Sequence, residues 1–132
     1  MTNRELIEKA IEAKKYAMSP TNYHVGAALL TLNGNVYTGC NLGSNDGIFN
    51  ICAERVVICK MLSEGEKNFN KIAVVGGLGN ELSFTTPCGV CRQLISEFGN
   101  DIEVILGYRN SEGEITEKVQ KISELLPGSF SM

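Results

Sequence analysis

The residues best equipped for chemistry in this 132-residue chain are its five cysteines: Cys40, Cys52, Cys59, Cys88 and Cys91. The chain opens on MTNRELIEKA, a polar amphipathic start and not a signal peptide. An odd cysteine count in that context predicts reduced thiols, not a disulfide framework. Cys88 and Cys91 are separated by two residues in Thr86-Pro87-Cys88-Gly89-Val90-Cys91, a spacing that lets both sulfurs reach one tetrahedral zinc ion. Cys52 and Cys88 each fall where a helix is expected to begin, with Pro87 supporting the second boundary. The unpaired N–H groups of a helix start favour thiolate over thiol. Three thiolates with an open fourth position are a catalytic, not a structural, zinc arrangement. Glu54 lies two residues after Cys52, where a carboxylate beside the metal could take a proton from water and hand it to a leaving amine. Three thiolates around Zn²⁺ leave one net negative charge, which the adjacent Arg55 and Arg92 would offset.

Plainer readings compete. Cys52 and Cys59 on one helix would be roughly 10.5 Å apart along the axis, too far to share an ion. Cys40 could complete a closed four-thiolate site, and Cys88/Cys91 alone could be a redox pair, although that leaves Cys52-Ala53-Glu54 unexplained. Cys40 and Cys59 otherwise read as small core residues, His24 as a surface residue, and the arginines as ordinary surface charge.

The elements that must position these groups follow from hydrophobic period. Thr2 and Glu5 form a capping-box signal, and Leu6, Ile7, Ala10, Ile11 and Ala17 predict a helix over residues 3–18. VGAALLTL and VYTGCNL flank Asn33-Gly34-Asn35, a β-hairpin pattern. A Gly/Asn/Asp loop at residues 42–50 leads into a helix over ICAERVVICKMLSEGE. KIAVVGG reads as a buried strand, residues 82–86 as a short extended piece, and CGVCRQLISEF as a helix ending at Gly99. DIEVILGY and ITEKVQ are strands, and SELLPG is a last helical turn. Strands alternating with helices predict an α/β class, a mixed sheet covered by helices on its faces.

Composition bounds the partners. With 43% hydrophobic residues the chain folds, and 132 residues without repeat or linker fit one domain, 1–132. Twelve basic against fifteen acidic side chains give a net charge of −3 and no basic stripe for nucleic acid. No stretch reaches the roughly 20 apolar residues of a membrane span. A small soluble ligand and a cytoplasmic location are expected.

Cys52-Ala53-Glu54-Arg55 followed by Pro87-Cys88-Gly89-Val90-Cys91 resembles the zinc-dependent cytidine deaminases in their three-cysteine, small-subunit form. The likeness extends to Val25-Gly26-Ala27-Ala28-Leu29, Gly39-Cys40-Asn41, Arg92-Gln93 and Leu125-Leu126-Pro127-Gly128-Ser129-Phe130, and so runs over nearly the whole chain. It implies a three-layer α-β-α fold with a mixed five-stranded sheet flanked by helices, one zinc per subunit, and a homotetramer. It implies hydrolytic deamination of cytidine or deoxycytidine to the uridine form, with release of ammonia. Cys52, Cys88 and Cys91 would bind zinc. Glu54 would shuttle protons while activated water attacks C4, bond the ring N3 and protonate the departing amine. Backbone near Ala53 and Thr86 would contact the base and the amine, and Asn41 would bind ribose. Tyr23 falls where the family usually has a phenylalanine against the base, and Phe130 on an aromatic reaching a neighbouring subunit's site; without that likeness Phe130 reads as a C-terminal core anchor.

Two positions depart from the family pattern. The usual Asn-x-Glu, whose glutamate holds a ribose hydroxyl, is here Asn41-Leu42-Gly43, with Asp46 able to substitute only if its loop folds inward. Tyr23 also carries a hydroxyl, and blasticidin S deaminases, which act on an aminopyrimidine antibiotic, are similar there and lack the same ribose pattern. Deamination of a modified or non-nucleoside aminopyrimidine is therefore the alternative reading, and a non-catalytic zinc-stabilised binding protein a third.

Overall fold

Near-continuous apolar runs along three strands build the core. The computed structural model describes residues 1–132. In it, β1 (Tyr23–Thr31), β3 (Phe69–Leu78) and β4 (Glu103–Arg109) are the inner strands of a five-stranded sheet ordered β2-β1-β3-β4-β5, with β2 (Val36–Cys40) and β5 (Ile115–Lys121) at its edges. Ala27, Leu29, Ile72, Val74, Val104 and Leu106 point to one face; Ala28, Ala73, Val75 and Ile105 point to the other. Helices cover both faces, as a sheet apolar on two sides requires. Leu6, Ile7 and Ala10 of α1 (Asn3–Lys14) close one side. Val57, Ile58 and Met61 of α2 (Ala53–Ser63), Ile95 of α3 (Gly89–Ser96) and Ile122 of α4 (Ile122–Leu125) close the other. The expected three-layer arrangement with a mixed sheet is the one observed.

The β1–β2 hairpin pairs Gly26 with Cys40 and Leu30 with Val36, around the Asn33-Gly34-Asn35 turn. β3 runs antiparallel to β1 and parallel to β4, and α3 makes the crossover that a parallel pair needs. Gly26 has no room for a side chain: a Cβ would run into the Ala10 carbonyl oxygen and come within 2.8 Å of the Lys14 amide nitrogen. That close approach seats α1 on the sheet. Lys14, itself buried, donates from Nζ to the Gly79 carbonyl and ties α1 to the end of β3; burial lowers its pKa.

Three expectations need correction. The first helix stops at Lys14, not residue 18, because the Met18 N–H goes to the Asn41 carbonyl and its carbonyl receives the Gly43 N–H. Cys59 is exposed, not in the core: the buried stripe of α2 runs through Ala53, Glu54, Val57, Ile58 and Met61 and leaves Cys59 facing outward beside Lys60. Cys40 is only half-buried at the end of edge strand β2. The extended piece after residue 81 makes a single bridge, Ser83 with Gly76. No helix is long and apolar enough to cross a membrane.

Candidate active site

Two helix starts converge to make the site. Cys52 is the N-cap of α2 and Cys88 the N-cap of α3, both with extended backbone and neither using its side chain as a cap. Their sulfurs are thus free to face one another at 3.7 Å, and Cys91, one turn into α3, lies with its sulfur 3.4 Å from that of Cys88. All three sulfurs lie within 4.8 Å of one another. Thiolates at about 2.3 Å from a tetrahedral zinc would be about 3.8 Å apart, so the donor set fits that ion with little movement. Cys40, Cys59 and His24 take no part in this group, which removes the closed four-thiolate alternative.

The local charges suit a metal. The Cys52 thiol is drawn down to about 5, chiefly by its partner Cys91 and also by Arg55, whose Nη2 stands 3.6 Å from the sulfur. Cys91 is pushed up by sharing its proton with Cys52 and by burial. Arg55 is held above its ordinary value by the Cys52 sulfur, and its Nε is buried without a hydrogen-bond partner. Arg92 is placed differently. Its guanidinium donates to the Pro87 and Leu125 carbonyls at 2.8 and 2.7 Å and to Thr86 Oγ1 at 3.2 Å. It thereby fastens the approach to Cys88 onto the C-terminal turn, with no sulfur among its partners.

Glu54 sits one residue into α2 with 3% exposure, and desolvation pushes its carboxyl up to about 7. It reaches the floor of a cleft of about 400 Å³ that also exposes Cys52 and Cys88. The cleft walls are Ser19, Thr21, Tyr23, Val25, Asn41 and Thr86, among others. No lysine or arginine lines it. Asn41 accepts the Val25 N–H at 2.8 Å and donates to the Tyr23 carbonyl at 3.2 Å, leaving one amide hydrogen unused. Ala53 is fully buried behind Glu54.

Phe130 does not line this cleft. It is 71% exposed and lines a separate groove beside α3, where its carbonyl receives the Gln93 side chain at 3.0 Å. Gly43 lines the cleft but sits tightly against its neighbour: a Cβ there would sit 2.9 Å from Ser19 Oγ and 3.2 Å from Ser19 Cα. Asp46 does not supply a carboxylate in its stead, because its own is bound to Ser44 Oγ and the Ile48 N–H within its own loop. Sequence reasoning passed over Ser19, Thr21, Asn50 and Thr85, which line the cleft. Only Thr85 carried a signal, its adjacency to Thr86-Pro87-Cys88.

Residues 1–107 match the cytidine and deoxycytidylate deaminase zinc-binding region. A probable cytidine deaminase of Dictyostelium discoideum is 40% identical over 134 residues, spanning 98% of this chain and 86% of the relative. A blasticidin-S deaminase of Bacillus cereus is 31% identical over 134 residues, spanning 96% and 91%. The crystal structure of cytidine deaminase from Burkholderia pseudomallei superposes with a TM-score of 0.84 at 38% identity, covering 98% of this chain and 100% of that one. With its three-thiol metal site and the carboxyl of Glu54 beside it, this chain belongs to the zinc-dependent hydrolytic deaminases of the cytidine and deoxycytidylate deaminase family.

Proposed function

We propose that this protein converts cytidine and deoxycytidine to uridine and deoxyuridine with release of ammonia. The observation that carries this reading is the buried carboxyl of Glu54 on the floor of a nucleoside-sized cleft, beside three convergent sulfurs. Zinc held by Cys52, Cys88 and Cys91 supplies a Lewis acid that makes water nucleophilic near neutral pH. Glu54 accepts a proton from that water as its oxygen bonds to C4. It passes that proton to the ring N3, then takes the proton of the new C4 hydroxyl and gives it to the amine nitrogen, so that the C4–N bond breaks, the C4 carbonyl forms and ammonia leaves. A carboxyl raised toward neutrality serves both transfers better than an ordinary glutamate. Arg55 offsets the surplus thiolate charge at 3.6 Å, and Arg92 steadies the Thr86–Cys88 segment that faces the leaving amine. Backbone at Ala53 meets the base, Tyr23 covers it, and the spare amide hydrogen of Asn41 is available to a ribose hydroxyl.

No lysine or arginine lines the cleft, which supports a nucleoside over a 5′-monophosphate, whose charge would lack a partner there. Residues 1–132 act as one deaminase domain in a homotetramer, with Phe130 in a neighbouring subunit's site. Its 71% exposure away from the cleft of its own chain supports that role. Free thiols on both metal-site helices support a cytoplasmic setting. A second reading, a modified or non-nucleoside aminopyrimidine, is favoured by Gly43 in place of a carboxylate and by the hydroxyl of Tyr23. A panel of cytidine, deoxycytidine, cytosine and blasticidin S decides: turnover of the two nucleosides supports the first reading, and turnover of blasticidin S alone the second. A monomer in light scattering would remove the tetramer.

A further inference from the structure

We infer that Tyr23 and Thr85 form a paired-hydroxyl wall that selects substrates by the hydrogen-bond donors on the substituent at N1 of the base; this deepens the deaminase reading and rests on it. The two residues are 62 apart in sequence, yet their oxygens meet at 2.8 Å and both line the cleft. Proton bookkeeping fixes the polarity of the pair. Thr85 Oγ1 donates its single proton to the Ser83 carbonyl at 3.2 Å, so the Tyr23 hydroxyl donates to Thr85. Both protons are committed, and the oxygens present only lone pairs to the cleft. A ligand meeting this wall must bring donors.

No second carboxylate serves as the acceptor instead. Glu54 is the one carboxylate lining the cleft, position 43 is a glycine set tightly against Ser19, and Asp46 is bound within its own loop. The donors that suit two neutral oxygens are sugar hydroxyls or a protonated amine, and at this half-exposed wall a ligand that lacks them forgoes a hydrogen bond that a donor-bearing ligand makes. A neutral acceptor contributes less than an ionised one, so discrimination is modest and tolerant of the substituent's shape.

The test compares wild type with Y23F and T85V on cytidine and on 1-methylcytosine, which has the same base and no donor on N1. Loss of one neutral hydrogen bond lowers the ratio of the two kcat/KM values by about 3- to 10-fold, mainly through KM. A ratio unchanged in both variants, or equal losses on the two substrates, overturns the proposal, since a merely structural role lowers both together. Blasticidin S, with cationic amines, distinguishes the donor source: a Y23F loss larger there than on cytidine assigns the wall chiefly to ammonium groups, and a loss larger on cytidine assigns it chiefly to hydroxyls. Calorimetric affinities of uridine and 1-methyluracil are measured whether or not cytidine is turned over. A wild-type preference for uridine that shrinks in Y23F upholds the wall, and its absence overturns it. An inactive wild type that keeps this preference refutes only the deaminase reading.

Discussion

Replacing Glu54 by glutamine isolates the proton traffic from everything else in the site. The side chain is 3% exposed and its carboxyl meets no partner beyond its own backbone N–H, so the isosteric amide breaks no ion pair. The remaining ionisable groups lining the cleft are Cys52, Cys88 and Tyr23. The two sulfurs belong to the metal site, and the tyrosine proton is committed to Thr85. No other group can therefore take over. Positioned proton transfer contributes about 10²- to 10⁴-fold per step, and Glu54 serves two transfers, so kcat in E54Q should fall by at least about 10⁴-fold, or about 5 kcal/mol in the barrier. The assay is ammonia release under saturating cytidine, with zinc content and thermal midpoint measured on the same preparation. Zinc should remain at one per chain and the midpoint within a few degrees of wild type. A variant that keeps its zinc and retains kcat within about tenfold of wild type would refute the assignment of Glu54.

Three further outcomes are expected. Removing the metal with a chelator should abolish deamination and lower the thermal midpoint by about 10 °C, taking about 4 kcal/mol of metal linkage, and added zinc should restore both; an unchanged midpoint would mean that the three sulfurs hold no structural share of the ion. G26A should destabilise the fold by about 3 kcal/mol or more, because the new methyl group meets the backbone of α1 at Ala10 and Lys14; a midpoint equal to wild type in a thermal melt would contradict the packing described. Glu66 accepts from Tyr37 at 2.7 Å, Asn35 at 2.9 Å and Asn33 at 3.1 Å, and these bonds, Tyr37's first, hold its carboxyl below the usual 4.5. With the folded value below the unfolded one, its stabilisation is present above about pH 4.5 and is lost as pH falls through the folded value. Wild type should therefore lose more thermal stability than E66Q below that pH, and parallel curves would rule this out.

The metal centre was legible because its information is local. Cys88 and Cys91 lie one helical turn apart, Pro87 marks the helix start, and Cys52-Ala53-Glu54 places a ligand and an acid on the first turn of another helix. Such relations are fixed by the geometry of 3.6 residues per turn before any tertiary contact forms. The layer architecture was legible for a related reason, since near-continuous apolar runs in β1, β3 and β4 demand cover on both faces. Local pattern erred where a non-local partner overruled it. The α1 period continues to Ala17, but pairing with residues 41–43 pulls the chain out of the helix after Lys14. Cys59 sits among apolar neighbours in sequence yet on the outward side of α2, because the helix rotation is set by which residues meet the sheet.

The cleft walls belong wholly to tertiary structure. Tyr23 reaches Thr85 only because β1 pairs with β3 so that Tyr23 meets Leu78, which brings the segment before Cys88 back across the strand end. Gly43 meets Ser19 only through the Met18–Leu42 bridge, and Arg92 meets Leu125 only once the last helix folds against α3. These contacts depend on strand order, which hydrophobic period does not encode. The sequence by itself determined the three cysteines that could hold a metal, the carboxyl close to them and the layered architecture, all consequences of short-range spacing. The tertiary structure alone decided which hydroxyls, amides and backbone atoms line the cleft, because those neighbours are set by the packing of distant segments.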